Sequence, residues 1–191
     1  EDVRGYNPAT GDLFWSLQYP GGRASASATG SPTTLFVGNE RRRDGGGVMY
    51  VIKAGASGDI TPGEGALEDG GVLWSLTEGG AEFASPLLYD GLLYVFGRNR
   101  GSAACFDPQT GEELEGQDRL PGARSFWSSP WGYEGMVFCT DEVGKTFVLG
   151  GGAARELLHT NDLGEDVRAS PAILDGTIIL RGEHHVFCIG E

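Results

Sequence analysis

Three ten-residue stretches of the chain align without a gap: Glu82–Gly91 (EFASPLLYDG), Phe126–Gly135 (FWSSPWGYEG) and Val167–Gly176 (VRASPAILDG). Each has Ser-Pro at its fourth and fifth positions and closes on an acidic residue followed by glycine. Each then runs into a short apolar stretch: Leu92–Phe96, Met136–Cys139 and Thr177–Leu180. The serines Ser85, Ser129 and Ser170 stand 44 and 41 residues apart. A strand-and-turn unit that recurs every ~40–45 residues predicts a β-propeller blade.

The unit that starts at Phe83 shows the expected order of four strands, a to d. Strand a covers Phe83–Tyr89, Asp90-Gly91 supplies a two-residue hairpin turn, and strand b is Leu92–Phe96. Strand c is Ser102–Phe106, and the turn Asp107–Gly111 leads to strand d near Glu113–Glu115. Four strands in this span make one blade. The next unit repeats the order with a at Trp127–Tyr133, b at Met136–Thr140, c at Thr146–Leu149 and d at Glu156–Thr160. The last gives a at Arg168–Leu174, b at Thr177–Leu180 and c at His185–Ile189. An earlier unit is recovered by setting Leu35-Phe36-Val37 against Leu93-Tyr94-Val95, which places Ser27 opposite Ser85. Its c and d strands are Val48–Lys53 and Val72–Leu76, separated by an insertion at Ala54–Gly71. Gly5–Leu17 matches only the end of c, the turn, and d. The expected organisation is a single propeller domain over 1–191. It has a remnant at 1–20, blades at 24–79, 83–122 and 126–164, and a remnant at 167–191. About four blades are present. The incomplete ends predict a piece of a seven- or eight-bladed ring, the rarer alternative being a four-bladed ring closed by the two remnants.

Composition agrees with an all-β chain. Glycine supplies 33 of the 191 residues, placed between short apolar runs and in no strict triplet,. The longest helix-like stretch, Ala153–His159, is too short to stand alone. The formal net charge of −13 argues against nucleic acid, which needs a basic footprint,. No apolar run approaches the ~18 residues of a membrane span. Cys105, Cys139 and Cys188 lie in apolar strand patterns, and their odd number forms no closed disulfide framework, so they are expected as buried thiols,.

Gly5–Trp15 (GYNPATGDLFW) resembles the PQQ-like (pyrroloquinoline-quinone-type) β-propeller repeat, whose motif runs Ala-x-Asp-x-x-Thr-Gly-Lys-x-x-Trp. Asn7 stands at the Asp position, Thr10, Gly11 and Trp15 match, and Asp12 replaces Lys. A weaker copy has Asp107, Thr110 and Gly111, with Cys105, Glu112 and Glu115 departing from the pattern. Trp74 fits the tryptophan position of the unit with the insertion. The turn is expected to be closed by side-chain bonds to local backbone, and the Trp to pack between blades. WD40 repeats fit less well, because their Gly-His and Trp-Asp pairs are missing. The PQQ-like family includes quinoprotein dehydrogenases and the BamB-like proteins of the outer-membrane β-barrel assembly machinery. The resemblance to the BamB-like branch implies a non-catalytic scaffold for protein–protein binding and a periplasmic or cell-envelope location, although Glu1–Arg4 do not read as a secretion signal. The alternative is a fragment of a PQQ-dependent quinoprotein dehydrogenase; a ligand-sensing propeller is a third class. Those dehydrogenases place an adjacent Cys-Cys pair and calcium ligands beside the quinone. This chain has no adjacent cysteines, so no cofactor is expected.

Other chemistry is weak in the sequence. Val143–Thr146 (VGKT) looks like the tail of a phosphate loop, but Cys139 occupies the position of the first glycine and no helix follows. His184-His185 are adjacent on a strand pattern, so they point to opposite faces and cannot chelate one ion; no metal site is expected. Acid pairs such as Glu112-Glu113 and Asp141-Glu142 sit in turns and read as solvated surface. Sorting charges by loop leaves one asymmetry. In an up-and-down blade the d–a and b–c connections share one side of the disc, and the a–b and c–d turns share the other. The first side collects arginines and two aromatics: Arg41, Arg42, Arg43, Arg98, Arg100, Arg124, Phe126, Trp127 and Arg168 are the candidate partner-binding residues, with Arg181 and Lys145 also on that side. The second carries Asp12, Asp90, Asp107, Glu112, Glu134 and Asp175, with little but Arg155 to balance them. Acids such as Glu40, Asp44, Asp141 and Asp166 also fall on the arginine side, so it is mixed and not net basic; because arginine and aromatic residues are enriched at interface hot spots, it is the side expected to dock a protein partner.

Overall fold

The computed structural model describes residues 2–18, 22–41, 47–63, 70–98 and 101–190, and only the backbone of Arg41. All regular structure among them is strand, arranged as small sheets that follow the chain and are antiparallel but for one short parallel pairing. The first sheet is the hairpin of β1 (Asp2–Tyr6) and β2 (Leu13–Gln18). In the second, β3 (Gly22–Arg23) and β4 (Thr29–Gly30) pair opposite ends of β5 (Thr34–Arg41), and β5 pairs β6 (Gly47–Lys53). The chain then forms β7 (Gly58–Asp59), which leaves this sheet, and β8 (Val72–Gly80), which completes it. The third sheet holds β9 (Leu87–Tyr89), β10 (Leu92–Phe96) and β11 (Ala103–Phe106). The fourth orders β12 (Trp131–Tyr133), β13 (Met136–Thr140), β14 (Lys145–Gly150) and β15 (Leu157–Asp162). The fifth has β16 (Ala172–Leu174), β17 (Thr177–Arg181) and β18 (Val186–Ile189).

The sheets pack face on face, which explains the unbroken apolar runs of the b strands. In β10, Leu93 and Val95 join Phe36, Val51 and Trp74 of the second sheet, while Tyr94 and Phe96 join Val137, Phe147 and Leu149 of the fourth. A strand covered on both faces must be apolar at every position. A third cluster, with Leu17, Val37, Ile52 and Ile60, joins the first two sheets.

The repeated serine has a direct structural role. The N–H of Ser27 donates to the hydroxyl of Ser85 (2.9 Å), that of Ser85 to Ser129 (3.1 Å), and that of Ser129 to Ser170 (2.9 Å). One residue per unit thus ties each sheet to the next. The following proline has no N–H to offer a sheet ladder, so the paired part of strand a is shorter than expected: Leu87–Tyr89 in place of Phe83–Tyr89, and likewise in the next two units. We expect Ser85→Ala, Ser129→Ala and Ser170→Ala each to cost about 1 kcal/mol, the worth of one lost acceptor. Urea unfolding checks this, with Ser→Thr at the same sites retaining the hydroxyl as the control.

The acid–glycine pair is equally explained. Asp90, Glu134 and Asp175 have φ of 49°, 47° and 47°, and the glycines after them 76°, 73° and 76°. Positive φ at both central residues is the hairpin turn whose twist matches the strands. At the Asx-Pro-x-Thr-Gly turns, Asn7 Oδ1 accepts the Ala9 N–H (2.9 Å), and Asp107 Oδ1 accepts those of Gln109 (2.8 Å) and Thr110 (2.9 Å). These N–H bonds hold Asp107 below the usual carboxylate range. Trp74 is 7% exposed, lies 6.3 Å from the Phe106 ring, and donates its indole N–H to Pro108 O (3.1 Å).

The insertion at Ala54–Gly71 has a use that the sequence did not reveal. Its strand β7 runs parallel to β2 at Trp15–Gly58 and Ser16–Asp59. The Ile60 N–H then donates to Ser16 O (2.9 Å), and the Gln18 N–H to Thr61 Oγ1 (3.0 Å). The insertion therefore covers the free edge of the first sheet, the part of a sheet most open to unwanted pairing.

Three expectations are corrected. The segment Glu113–Glu115 forms no strand; only isolated bridges, Phe106–Glu113 and Ser102–Arg119, stand at the fourth position of the third sheet. Cys105 and Cys139 are buried, and burial raises both thiols, but Cys188, in the last strand, is exposed. His184 and His185 both lie in the loop before β18 with exposed side chains, so neither faces the packed sheets.

Candidate functional site

The d–a and b–c connections are bonded to one another and form one side of the array. The Glu142 N–H donates to Ser125 O (2.9 Å), the Glu183 N–H to Asp166 O (2.9 Å), and the Ser125 hydroxyl to Arg98 O (3.0 Å). Bridges at Phe126–Asp141 and Val167–Gly182 pin the same loops. Buried carboxylates tighten them further. Glu82 accepts the Arg98 N–H (2.7 Å), and Asp141, fully buried, accepts the N–H groups of Arg124 (3.0 Å) and Lys145 (2.9 Å). Glu165 accepts those of His184 (3.2 Å) and His185 (3.1 Å). Burial disfavours the Glu165 carboxylate, but the His185 ring and these two N–H groups outweigh it, so Glu165 sits below the usual carboxylate range. Its contribution to stability is present above the ordinary glutamate value and is lost as the pH falls through the lowered one.

On this frame the structure assembles a column of stacked side chains. Phe83 and Trp127 stack at 4.3 Å and 17°. The Arg98 guanidinium lies 4.8 Å from the Phe83 centroid and 5.5 Å from that of Trp127, and the Arg168 guanidinium lies 5.4 Å from Trp127. Phe83, Trp127 and Arg168 share one repeat position, two residues before the ladder serine, so the repeat that ties the sheets together also stacks these groups. Trp127 is oriented by donating its indole N–H to Glu142 Oε2 (3.1 Å). Arg98 is neutralised by Glu40 at 2.6 Å, and Arg23 lies 3.8 Å from the same carboxylate.

Of the candidate partner-binding residues, Arg98, Trp127 and Arg168 come together in this column. Phe83, not singled out from the sequence, completes it. Arg124 is exposed on the same side. Phe126 is corrected: it is fully buried, edge-on to Phe96 (5.4 Å) and Phe147 (6.1 Å), and offers no surface. The side chain of Arg41, together with Arg42, Arg43 and Arg100, lies outside the described residues. At the opposite ends of the strands Asp12, Asp90, Glu112, Glu134 and Asp175 are exposed. Arg155 does not balance them, because its side chain is fully buried. Among the described residues no group of three or more His, Cys, Asp or Glu is placed to hold a metal, and no helix is long and apolar enough to cross a membrane.

No protein-family model and no curated protein sequence matches the chain. Solved structures do match its fold. The computationally designed Ika8 protein superposes with a TM-score of 0.69 at 15% identity, over 97% of this chain and 51% of that one. BamB from Moraxella catarrhalis gives 0.68 at 15% identity, over 99% and 52%. The computationally designed Ika4 protein gives 0.66 at 13% identity, over 95% and 99%. The chain is thus an all-β array with a propeller-like fold, and it spans about half the length of the first two neighbours.

Proposed function

We propose that this chain supplies about four blades of a seven- or eight-bladed PQQ-like ring and acts as a non-catalytic scaffold that binds a protein partner at the cell envelope, as BamB-like assembly factors do. The observation that carries this reading is the division of labour along the repeat. The serine, the acid–glycine turn and the Asx-Thr-Gly turn are committed to holding sheets and hairpins together. The arginine and aromatic side chains that remain exposed gather on one side, where such residues dominate binding. The exposed acids of the a–b and c–d turns, Asp12, Asp90, Glu112, Glu134 and Asp175, stand on the other side and discourage misdocking there,.

Photo-crosslinking tests this. With benzoylphenylalanine at position 124 or 168, a discrete adduct with an envelope protein is expected, suppressed by excess unlabelled chain. With the same group at position 134 or 175, none is expected. Adducts from the second pair alone would assign binding to the acidic side and overturn the proposal. The non-catalytic part is tested separately by titrating the protein with pyrroloquinoline quinone and Ca²⁺. No saturable change in quinone absorbance is expected, and a saturable one favours the dehydrogenase reading.

A further inference from the structure

The stacked column ends at Arg168, and beyond it lies a cleft of about 360 Å³ lined by Asp166, Arg168, Ala169, Arg181, Gly182 and Glu183. Its walls are fixed. The Val167–Gly182 bridge and the Glu183 N–H bond to Asp166 O join the two segments that form it, and the Gly182 N–H bond to His185 O (2.9 Å) closes the turn in the second. Val167, between them, is 1% exposed.

Two guanidiniums share this cleft, and among the described residues neither has an ion-pair partner. Four other arginines are committed differently: Arg4 is paired with Asp2 (2.6 Å), Arg23 and Arg98 with Glu40, and Arg155 is buried. Arg168 is moreover held in place. It lies over Trp127, which is itself stacked on Phe83 and bonded to Glu142 at its nitrogen. A guanidinium stacked on an indole keeps its N–H edge free for a planar anion. With Arg168 held in this way and Arg181 lining the same cleft, a carboxylate can be met by two guanidiniums,. Asp166 and Glu183 at the same cleft disfavour a highly charged polyanion and select a single negative group.

We infer that this cleft, lined by Arg168 and Arg181, takes the side-chain carboxylate of an acidic residue on an extended segment of the partner protein. The inference rests on the arginine side being the docking side, and it adds Arg181 and the chemistry of the partner to it.

The test uses the whole chain labelled with ¹⁵N and a capped Gly-Asp-Gly-Asp-Gly peptide, with Gly-Asn-Gly-Asn-Gly as control. A saturable shift of the Arg168 and Arg181 Nε–H and Trp127 Nε1–H resonances is expected, with Kd on the order of 1 mM, the range open to a single small contact. The amide peptide is expected to give none. The double variant Arg168→Gln, Arg181→Gln should weaken binding at least about tenfold, while an unchanged amide spectrum elsewhere shows that it folds. Absence of the shifts, an undiminished Trp127 Nε1–H shift in the double variant, or saturation by inorganic phosphate at lower concentration than the peptide overturns the inference. Crosslinks from position 124 separate the two proposals. If they survive while the peptide fails to bind, the cleft is wrong and the scaffold stands. If they are absent while the peptide binds, the reverse holds.

Discussion

Replacing Arg155 with methionine is expected to destabilise the protein by about 3 kcal/mol, the sum of three part-buried acceptors left without donors,. Arg155 occupies the place where the third sheet lacks a fourth strand. Its guanidinium donates to Gln117 O (3.1 Å) and Leu114 O (3.3 Å), carbonyls of the segment that forms no fourth strand, and to Ala153 O (2.8 Å) of its own loop. Its ion pair with Asp118 is lopsided: 3.5 Å long, with Arg155 fully buried and Asp118 79% exposed. That pair is therefore a minor contribution, and Asp118→Asn should cost under about 1 kcal/mol. Urea unfolding of both variants decides between carbonyl and carboxylate as the partner that matters. Equal losses in the two would show that the ion pair, and not the carbonyls, holds the guanidinium. The residue also sits at φ 51°, so Arg155→Gly removes backbone strain along with the donors and should be less damaging than methionine,.

The second large effect is expected at Trp74. Its ring fills the junction of the second and third sheets between Phe36 (6.4 Å) and Phe106 (6.3 Å). It also lies against Gly111, where an added Cβ would come within 2.6 Å of the indole. Trp74→Ala should cost about 4 kcal/mol, as large-to-small changes of buried aromatics do. Trp74→Phe keeps most of the packing and loses the bond to Pro108 O, for a loss of about 1 kcal/mol. Gly111→Ala should approach the damage of the alanine variant at 74, because it combines the clash with a φ of 76°. Thermal unfolding of the three variants gives the ranking. A Trp74→Ala protein as stable as the parent would show that this junction does not hold the sheets together.

What could be read in advance followed from features that repeat. The b strands, the acid–glycine turns and the aligned serines recur, and repetition separates them from chance. Arg155 occurs once, in a stretch that otherwise reads as exposed, and no composition or spacing marks an arginine that will be enclosed. The missing fourth strand of the third sheet has the same origin: Glu113 and Glu115 are poor strand formers, and a distant side chain substitutes for the ladder. Phe126 could have been placed correctly. It aligns with Glu82 and Val167, both buried, whereas Trp127 aligns with Phe83 and Arg168 in the column. Neighbours on an extended segment point to opposite sides, so only one of the two aromatics could reach the surface. The column itself was hidden because its members are 44 and 41 residues apart and of three different types.

The serine ladder has a direction: each link takes its donor from the earlier unit and its acceptor from the later one. Excising one whole repeat brings a donor of the same kind to an acceptor of the same kind, and duplicating one inserts a matched pair. Unequal recombination within the gene would leave no unpaired group at this seam. The lineage of such a chain can therefore gain or lose units by a single genetic event, without first evolving a new contact to join them.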